Sequence, residues 1–226
     1  MTGLGIAPPG GDPDADPADE FGSICHPLGL APTEEQTQAL HGFMDLLARW
    51  NGVYNLTSVR DPAAMRTQHL ADCLAVVPAL VRHGMQGRVL DVGSGGGLPG
   101  VVIAIMLPGC DVTCVDTVGK KAAFVRQVAG DLGLKNLHAA HARVENLRAL
   151  PFNVVISRAF ASLADFVSLS RPLLAEGGVW LAMKGRRPDA EMAALPADVE
   201  VFHVEPLQVP QLDAQRCLVW MRLRKT

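Results

Sequence analysis

From Thr33 onward the apolar positions recur at helical spacing. Leu40, Phe43, Met44, Leu47 and Trp50 lie three or four residues apart and define one face. Thr33-Glu34-Glu35-Gln36 stands just ahead of them with capping-box spacing, so a helix is predicted to begin there. A second start signal follows at Asp61-Pro62, an N-cap residue before proline at the first helical position. Leu70, Cys73, Leu74 and Val77 supply the apolar stripe of the helix it opens. Beyond residue 86 the period changes. Short apolar runs (RVLDVG, DVTCVD, LHAAHAR, NVVISRA, GVWLAMKG) alternate with helices predicted after Pro99, from Lys120 and over 162–174. A short helical piece and two late strands, 199–207 and 216–223, complete the pattern. Such alternation predicts an α/β fold, a mostly parallel sheet of seven strands with helices on both faces. The last two strands have no full helix between them and are expected to pair antiparallel at one edge.

The chain therefore divides into three regions: residues 1–31, 32–86 and 87–226. The first is rich in Pro, Gly and Asp and is expected to be a disordered acidic tail. The second is a small helical region, and the third carries the sheet. Hydrophobic residues make up 49 % of the chain, and no apolar run approaches the roughly 18 to 20 residues that cross a bilayer. The N-terminal stretch has neither a basic start nor a sustained apolar segment, so no signal peptide is expected. Cys25, Cys73, Cys110, Cys114 and Cys217 form no CxxC pair and are odd in number, which fits reduced thiols in a cytoplasmic protein. The net charge of −3 is uneven: five of the 23 acids fall in residues 1–22, leaving 18 against 20 Lys and Arg. Basic clusters at Arg186–Arg187 and Arg222–Lys225 permit a nucleic-acid partner without requiring one.

The strongest chemical signal is Asp91-Val92-Gly93-Ser94-Gly95-Gly96-Gly97-Leu98-Pro99-Gly100, a strand end running into five glycines within eight residues and then a helix. Glycine lets backbone N–H groups approach a ligand, and a helix N-terminus favours a negative group there. The next strand ends in Asp116, whose carboxylate can accept hydrogen bonds from both hydroxyls of a ribose. Together these describe a Rossmann-like nucleoside site at the carboxyl ends of the first two strands. Two nucleosides fit. Gly95-x-Gly97-x-x-Gly100 satisfies the dinucleotide fingerprint, which would make the protein a nicotinamide-dependent oxidoreductase. Asp91, however, sits badly beside a pyrophosphate and well beside the ammonium of a methionine moiety, which favours a methyl donor.

DVGSGGGLPG, DTVGKKAAFVRQV, ARVEN and above all ISRAFASL resemble the ribosomal RNA small subunit methyltransferase G family, also called glucose-inhibited division protein B. WNGVYNLTSVRDP…HLADCL is similar to that family's helical N-terminal motif, and the late LQVPQLDAQRCLVWMR to its C-terminal part. The resemblance spans residues 40–225 and departs at Cys73, where the family has serine. It implies a class I methyltransferase using S-adenosyl-L-methionine to methylate N7 of a guanine in 16S ribosomal RNA, free or in the small subunit. It also implies a cofactor site that includes Gly93, Leu98, Val144, Glu145 and Arg158, to which the loop reading adds Asp91, Gly95 and Asp116.

The residues themselves also bear on the target atom. After the fourth strand stands Ser157-Arg158-Ala159-Phe160, not the Asn/Asp-Pro-Pro-aromatic loop that goes with methylating an exocyclic amine. Methylating a pyrimidine carbon calls for a cysteine nucleophile, and none follows that strand. Guanine N7 needs neither, only alignment of its lone pair with the methyl and sulfonium for in-line displacement. No general base is assigned, and Arg158 is the one candidate for a positioning role. Lys184, Arg186 and Arg187 are the candidate RNA contacts, with Arg60 and Arg66 able to assist and Phe160 able to stack on a guanine. His69 and Asp72 share a helical face and read better as a hydrogen-bonded pair bracing the helical region than as metal ligands, so no metal is expected. A monomer is expected, and a noncatalytic RNA-binding assembly factor stays open beside the enzyme.

Overall fold

The computed structural model describes residues 21–57, 59 and 61–224. Its helices are α1 (Gly22–Cys25), α2 (Glu34–Tyr54), α3 (Pro62–Met65), α4 (Asp72–Leu74), α5 (Val77–Arg82), α6 (Gly100–Met106), α7 (Gly119–Asp131), α8 (Leu163–Ser170) and α9 (Asp189–Ala193). A π-helical turn, Arg66–Ala71, joins α3 to α4. The strands are β1 (Gly87–Val92), β2 (Cys110–Asp116), β3 (Leu137–His141), β4 (Phe152–Ser157), β5 (Leu174–Lys184), β6 (Val199–Leu207) and β7 (Arg216–Leu223). They form one seven-stranded sheet in the order β3-β2-β1-β4-β5-β7-β6. β1 to β5 pair in parallel, while β7 runs antiparallel to both β5 and β6. The expected α/β architecture and its antiparallel edge are both present.

α2 forms where the capping box predicts. Thr33 Oγ1 accepts from the Gln36 amide, and Gln36 Oε1 accepts from the Thr33 amide. The same Gln36 side chain donates from Nε2 to the carbonyls of Ile105 and Met106, each at 3.1 Å. One residue thus starts α2 and satisfies two carbonyls at the end of α6 that the helix itself leaves unpaired. Leu40, Phe43 and Leu47 are fully buried, and Trp50 packs on Phe124 of α7 with ring centroids 5.4 Å apart. Asp61 caps α3, its Oδ2 accepting from the Ala64 amide at 2.7 Å. The stripe Leu70, Cys73, Leu74 and Val77 is likewise buried. Because strand side chains alternate in direction, the sheet separates two cores. Val89, Val112, Ile156 and Leu181 face α2, α6 and α7, while Leu90, Val155, Trp180 and Val219 face the other side with α8.

Residues 21–31 correct the expected tail. Phe21, Ile24 and Cys25 are 2 % exposed or less, α1 leads into a 3-10 turn at His26–Leu28, and Phe21 stacks near His41. Their Pro- and Gly-rich surroundings conceal a short apolar anchor, too brief for periodicity to register. The remainder of the expected tail, residues 1–20, lies outside the described residues. Among the described residues no helix is long and apolar enough to cross a membrane.

Candidate functional site

The loop after β1 is held by two carboxylates. Asp91, fully buried, accepts from the Gly100 amide through Oδ2 at 2.8 Å. Asp116, at the end of β2, accepts from the Gly95 amide through Oδ2 at 2.9 Å and from the Val118 amide through Oδ1 at 2.8 Å. The acceptor at the N-terminus of α6 is therefore the protein's own Asp91 carboxyl, where the sequence suggested a ligand's negative group. A pyrophosphate would have to displace a buried carboxylate there, which argues physically against the dinucleotide reading.

Two glycines in this loop are required for different reasons. A Cβ on Gly100 would lie 2.4 Å from Cys114 Sγ and 2.9 Å from Asp91 Oδ2, so this position serves close packing. Gly93 has φ +69°, a left-handed conformation that favours glycine, and a Cβ there would meet nothing within 4 Å. Its open side faces a cavity of about 330 Å³ lined by Gly93, Asp116, Val144, Glu145 and Phe160 among others. We expect Gly100→Ala to destabilise the protein by about 1–3 kcal/mol through overpacking. Thermal unfolding should show a loss of roughly 2–4 °C per kcal/mol for a chain of this size; an unchanged midpoint would mean the loop can relax around the methyl.

The cavity thus brings together four of the eight expected cofactor residues: Gly93, Asp116, Val144 and Glu145. Val144 is buried in a 3-10 turn after β3, while Glu145 is exposed, 3.8 Å from Arg143. Gly95 anchors the loop through Asp116, and Leu98 is buried in the core beneath it rather than lining the cavity. Asp91 touches the cavity through no exposed atom. Its Oδ1 is buried without a hydrogen-bond partner among the described residues, and burial raises its carboxyl to about 7 despite the Gly100 amide and Arg158. Such an orphaned oxygen is costly unless a ligand donor reaches it, and the cofactor's ammonium would supply one. The residues present fit S-adenosylmethionine.

Arg158, one residue past β4, lies 24 % exposed and faces the helical region. Its Nη1 is 3.1 Å from His69 Nδ1 and 3.9 Å from Asp72 Oδ2. Burial, then the Arg158 charge, lowers the His69 pKa to about 4, so the ring is neutral at neutral pH. Nε2 is hydrogen-bonded with Thr57 Oγ1 at 2.5 Å, and Nδ1 lies 3.1 Å from both Arg158 Nη1 and the Gln68 carbonyl, so both ring nitrogens are engaged. Asp72 accepts from Arg216 Nε at 3.0 Å through its other oxygen. His69 and Asp72 therefore brace the helical region, but against Arg158 rather than each other. Arg216, near the far end of the chain, escaped the sequence reading because no local spacing points to it.

The candidate RNA contacts divide. Lys184 is 17 % exposed and doubly bonded to Glu191 at 2.9 and 3.1 Å, so it serves as a structural tie in this structure. Glu191 Oε2 also accepts from the Leu163 amide at the start of α8, so the pair ties the end of β5 and α9 to α8. Arg187 is 60 % exposed and pairs with Asp189. Arg186 is exposed and, among the described residues, unpaired. Together Arg186, Arg187 and Arg216 border a second cavity of about 410 Å³. Phe160 is half-buried against Phe166, ring centroids 5.6 Å apart, yet still borders the cofactor cavity. Arg66 is half-buried in the π-helical turn, and Arg60 lies outside the described residues.

Comparison with known proteins agrees with this geometry. A family described as rRNA small subunit methyltransferase G matches residues 36–219. The chain is 61 % identical over 205 residues to the ribosomal RNA small subunit methyltransferase G of Acidovorax sp. (strain JS42), covering 86 % of this chain and 90 % of that one. It is 54 % identical over 208 residues to the protein of the same name from Bordetella avium (strain 197N), covering 91 % and 93 %. Among solved structures, the glycopeptide N-methyltransferase MtfA in complex with S-adenosylmethionine superposes at TM-score 0.57 and 13 % identity, over 68 % of this chain and 94 % of that one. That identity establishes a shared fold. The 61 % relative and the match across residues 36–219 establish more: this chain belongs to the rRNA small subunit methyltransferase G family.

Proposed function

We infer that the protein transfers a methyl group from S-adenosylmethionine to small-subunit ribosomal RNA, at N7 of a guanine in 16S RNA. The observation that carries this reading is the family match over residues 36–219, which spans every residue of the cavity beneath the glycine loop. The cofactor supplies an electrophilic methyl on a sulfonium. In this reading the protein's residues hold it: Asp116 offers lone pairs to the ribose, Val144 and Glu145 border the base, and the ammonium supplies the donor that the buried Asp91 Oδ1 lacks.

The surroundings of β4 favour a ring nitrogen over other target atoms. Ser157 Oγ donates to the Val92 carbonyl at 2.8 Å and is not available as a base. His69, neutral and bonded at both nitrogens, is likewise committed. All five cysteines are free and buried, and burial raises the thiols of Cys73 and Cys114, so neither supplies the thiolate that carbon methylation requires. Guanine N7 needs no proton removed, only positioning. Arg186 and Arg187 are the phosphate contacts in this reading, making binding fall with salt. It includes a monomer acting in the cytoplasm, where the five thiols stay reduced.

Incubation with methyl-labelled S-adenosylmethionine and small subunits lacking the modification, followed by RNA digestion, is expected to give label in 7-methylguanosine. Label in another nucleoside would overturn the target atom. RNA binding without any S-adenosylhomocysteine release would mark a noncatalytic assembly factor instead.

A further inference from the structure

The outer edge of the sheet carries a cluster that the methyl-transfer reading does not use. His203 and Glu205 lie two residues apart on β6, hence on one face of that strand. His83 closes α5 as its C-cap residue. One ligating atom from each of the three side chains lies within 4.8 Å of the others, and His203 Nε2 is 4.0 Å from Glu205 Oε2. The glutamate is the informative member. Arg82 donates to Oε1, while Oε2 is buried and has no hydrogen-bond partner among the described residues.

We propose that His83, His203 and Glu205 bind a divalent transition-metal ion of the zinc class, joining the end of α5 to β6. Two imidazole nitrogens and one carboxylate oxygen are a donor set that suits zinc and is poor for magnesium or calcium. Zinc with ligands at about 2.0–2.2 Å in a tetrahedron needs ligand atoms about 3.3 Å apart. The ion would therefore draw in the two exposed histidines by rotamer change from the present spacing of up to 4.8 Å. Arg82 holds the carboxylate from the outer oxygen and so orients Oε2 inward, the role an outer hydrogen bond plays at metal sites. A water would complete the tetrahedron as fourth ligand. β4, β5 and β7 separate this edge from β1 and its glycine loop, so the ion would act as a cross-link and take no part in methyl transfer. Sequence spacing could not reveal it, because His83 belongs to the helical region and its partners to the edge strand.

The test uses the untagged full-length chain, stripped with a chelator and titrated with zinc by calorimetry. One equivalent is expected to bind and to raise the unfolding midpoint. His203→Asn and Glu205→Gln should weaken binding by more than roughly tenfold and abolish the thermal shift, with circular dichroism showing the fold retained. His203 is 46 % exposed, so its replacement leaves packing undisturbed. Nickel provides a local readout. The His83 ring lies 4.0 Å from that of Trp220, so bound nickel should quench tryptophan emission in the parent chain and not in His203→Asn. Absence of zinc binding by the parent chain, or parental affinity in either variant, would overturn the proposal.

Discussion

Arg158→Ala is expected to lower cofactor affinity by roughly ten- to a hundredfold and kcat/KM by at least as much. A charged hydrogen bond is worth about 1.5–3 kcal/mol, and this guanidinium, one residue past β4, is near enough to Asp91 for its charge to lower that carboxyl's pKa. It also bonds His69 and helps to offset the buried charges of Asp72 and Asp91. Its loss therefore affects the cofactor side and the helical region together. The fold should survive, because Asp72 keeps its 3.0 Å contact with Arg216. Arg158→Lys preserves the charge but not the planar fork, and should recover stability better than activity. Calorimetric titration with S-adenosylhomocysteine and single-turnover methylation measure the two effects separately. Wild-type affinity and rate in the alanine variant would place Arg158 in a bracing role alone.

Asp91→Asn tests the other side of the same electrostatic pair. Burial raises the folded pKa of Asp91 to about 7, above the ordinary 3.9 or so of an unfolded aspartate. The folded state thus holds the extra proton. This group's contribution to stability is fully present below the unfolded pKa and is lost as pH rises through about 7. Binding of an ammonium favours the ionised carboxylate and has the opposite slope: cofactor affinity should climb from about pH 6 to about pH 8. The asparagine variant keeps an acceptor for the Gly100 amide but cannot ionise. Its affinity should fall on the order of thirtyfold or more, with that pH slope removed. A variant whose affinity keeps the parental slope would show that Asp91 only braces the loop. Because Arg158 and Asp91 are coupled, the double variant should lose less than the two single losses combined.

Much of the architecture was legible because it rests on short-range rules. The capping box at Thr33, the Asp61 N-cap and the apolar stripes of α2 and α4 each depend on residues within a turn or two. The strand–helix alternation needed only a change of period. The glycine loop was legible as a site but misread in detail: the helix N-terminus belongs to Asp91, and Gly100 is there for Cys114. Those facts depend on β1 and β2 lying side by side. Lys184 shows the same limit, since its partner Glu191 lies on α9 and no helical spacing links a strand end to a following helix. Arg216 and the His83 cluster are brought into place by the tertiary fold alone.

The order of the sheet bears on how the molecule comes into being. β7 lies between β5 and β6, so β6 has no partner until residues 216–223 have been made. A nascent chain that has just emerged through β6 has an open flank along β5, with Trp180 and Leu181 missing the Met221 and Trp220 that finally cover them. Unpaired flanks of this kind are where growing chains aggregate or recruit chaperones. The β3–β5 half can assemble during translation, but the sheet is sealed by a strand synthesised after the one it must separate from β5.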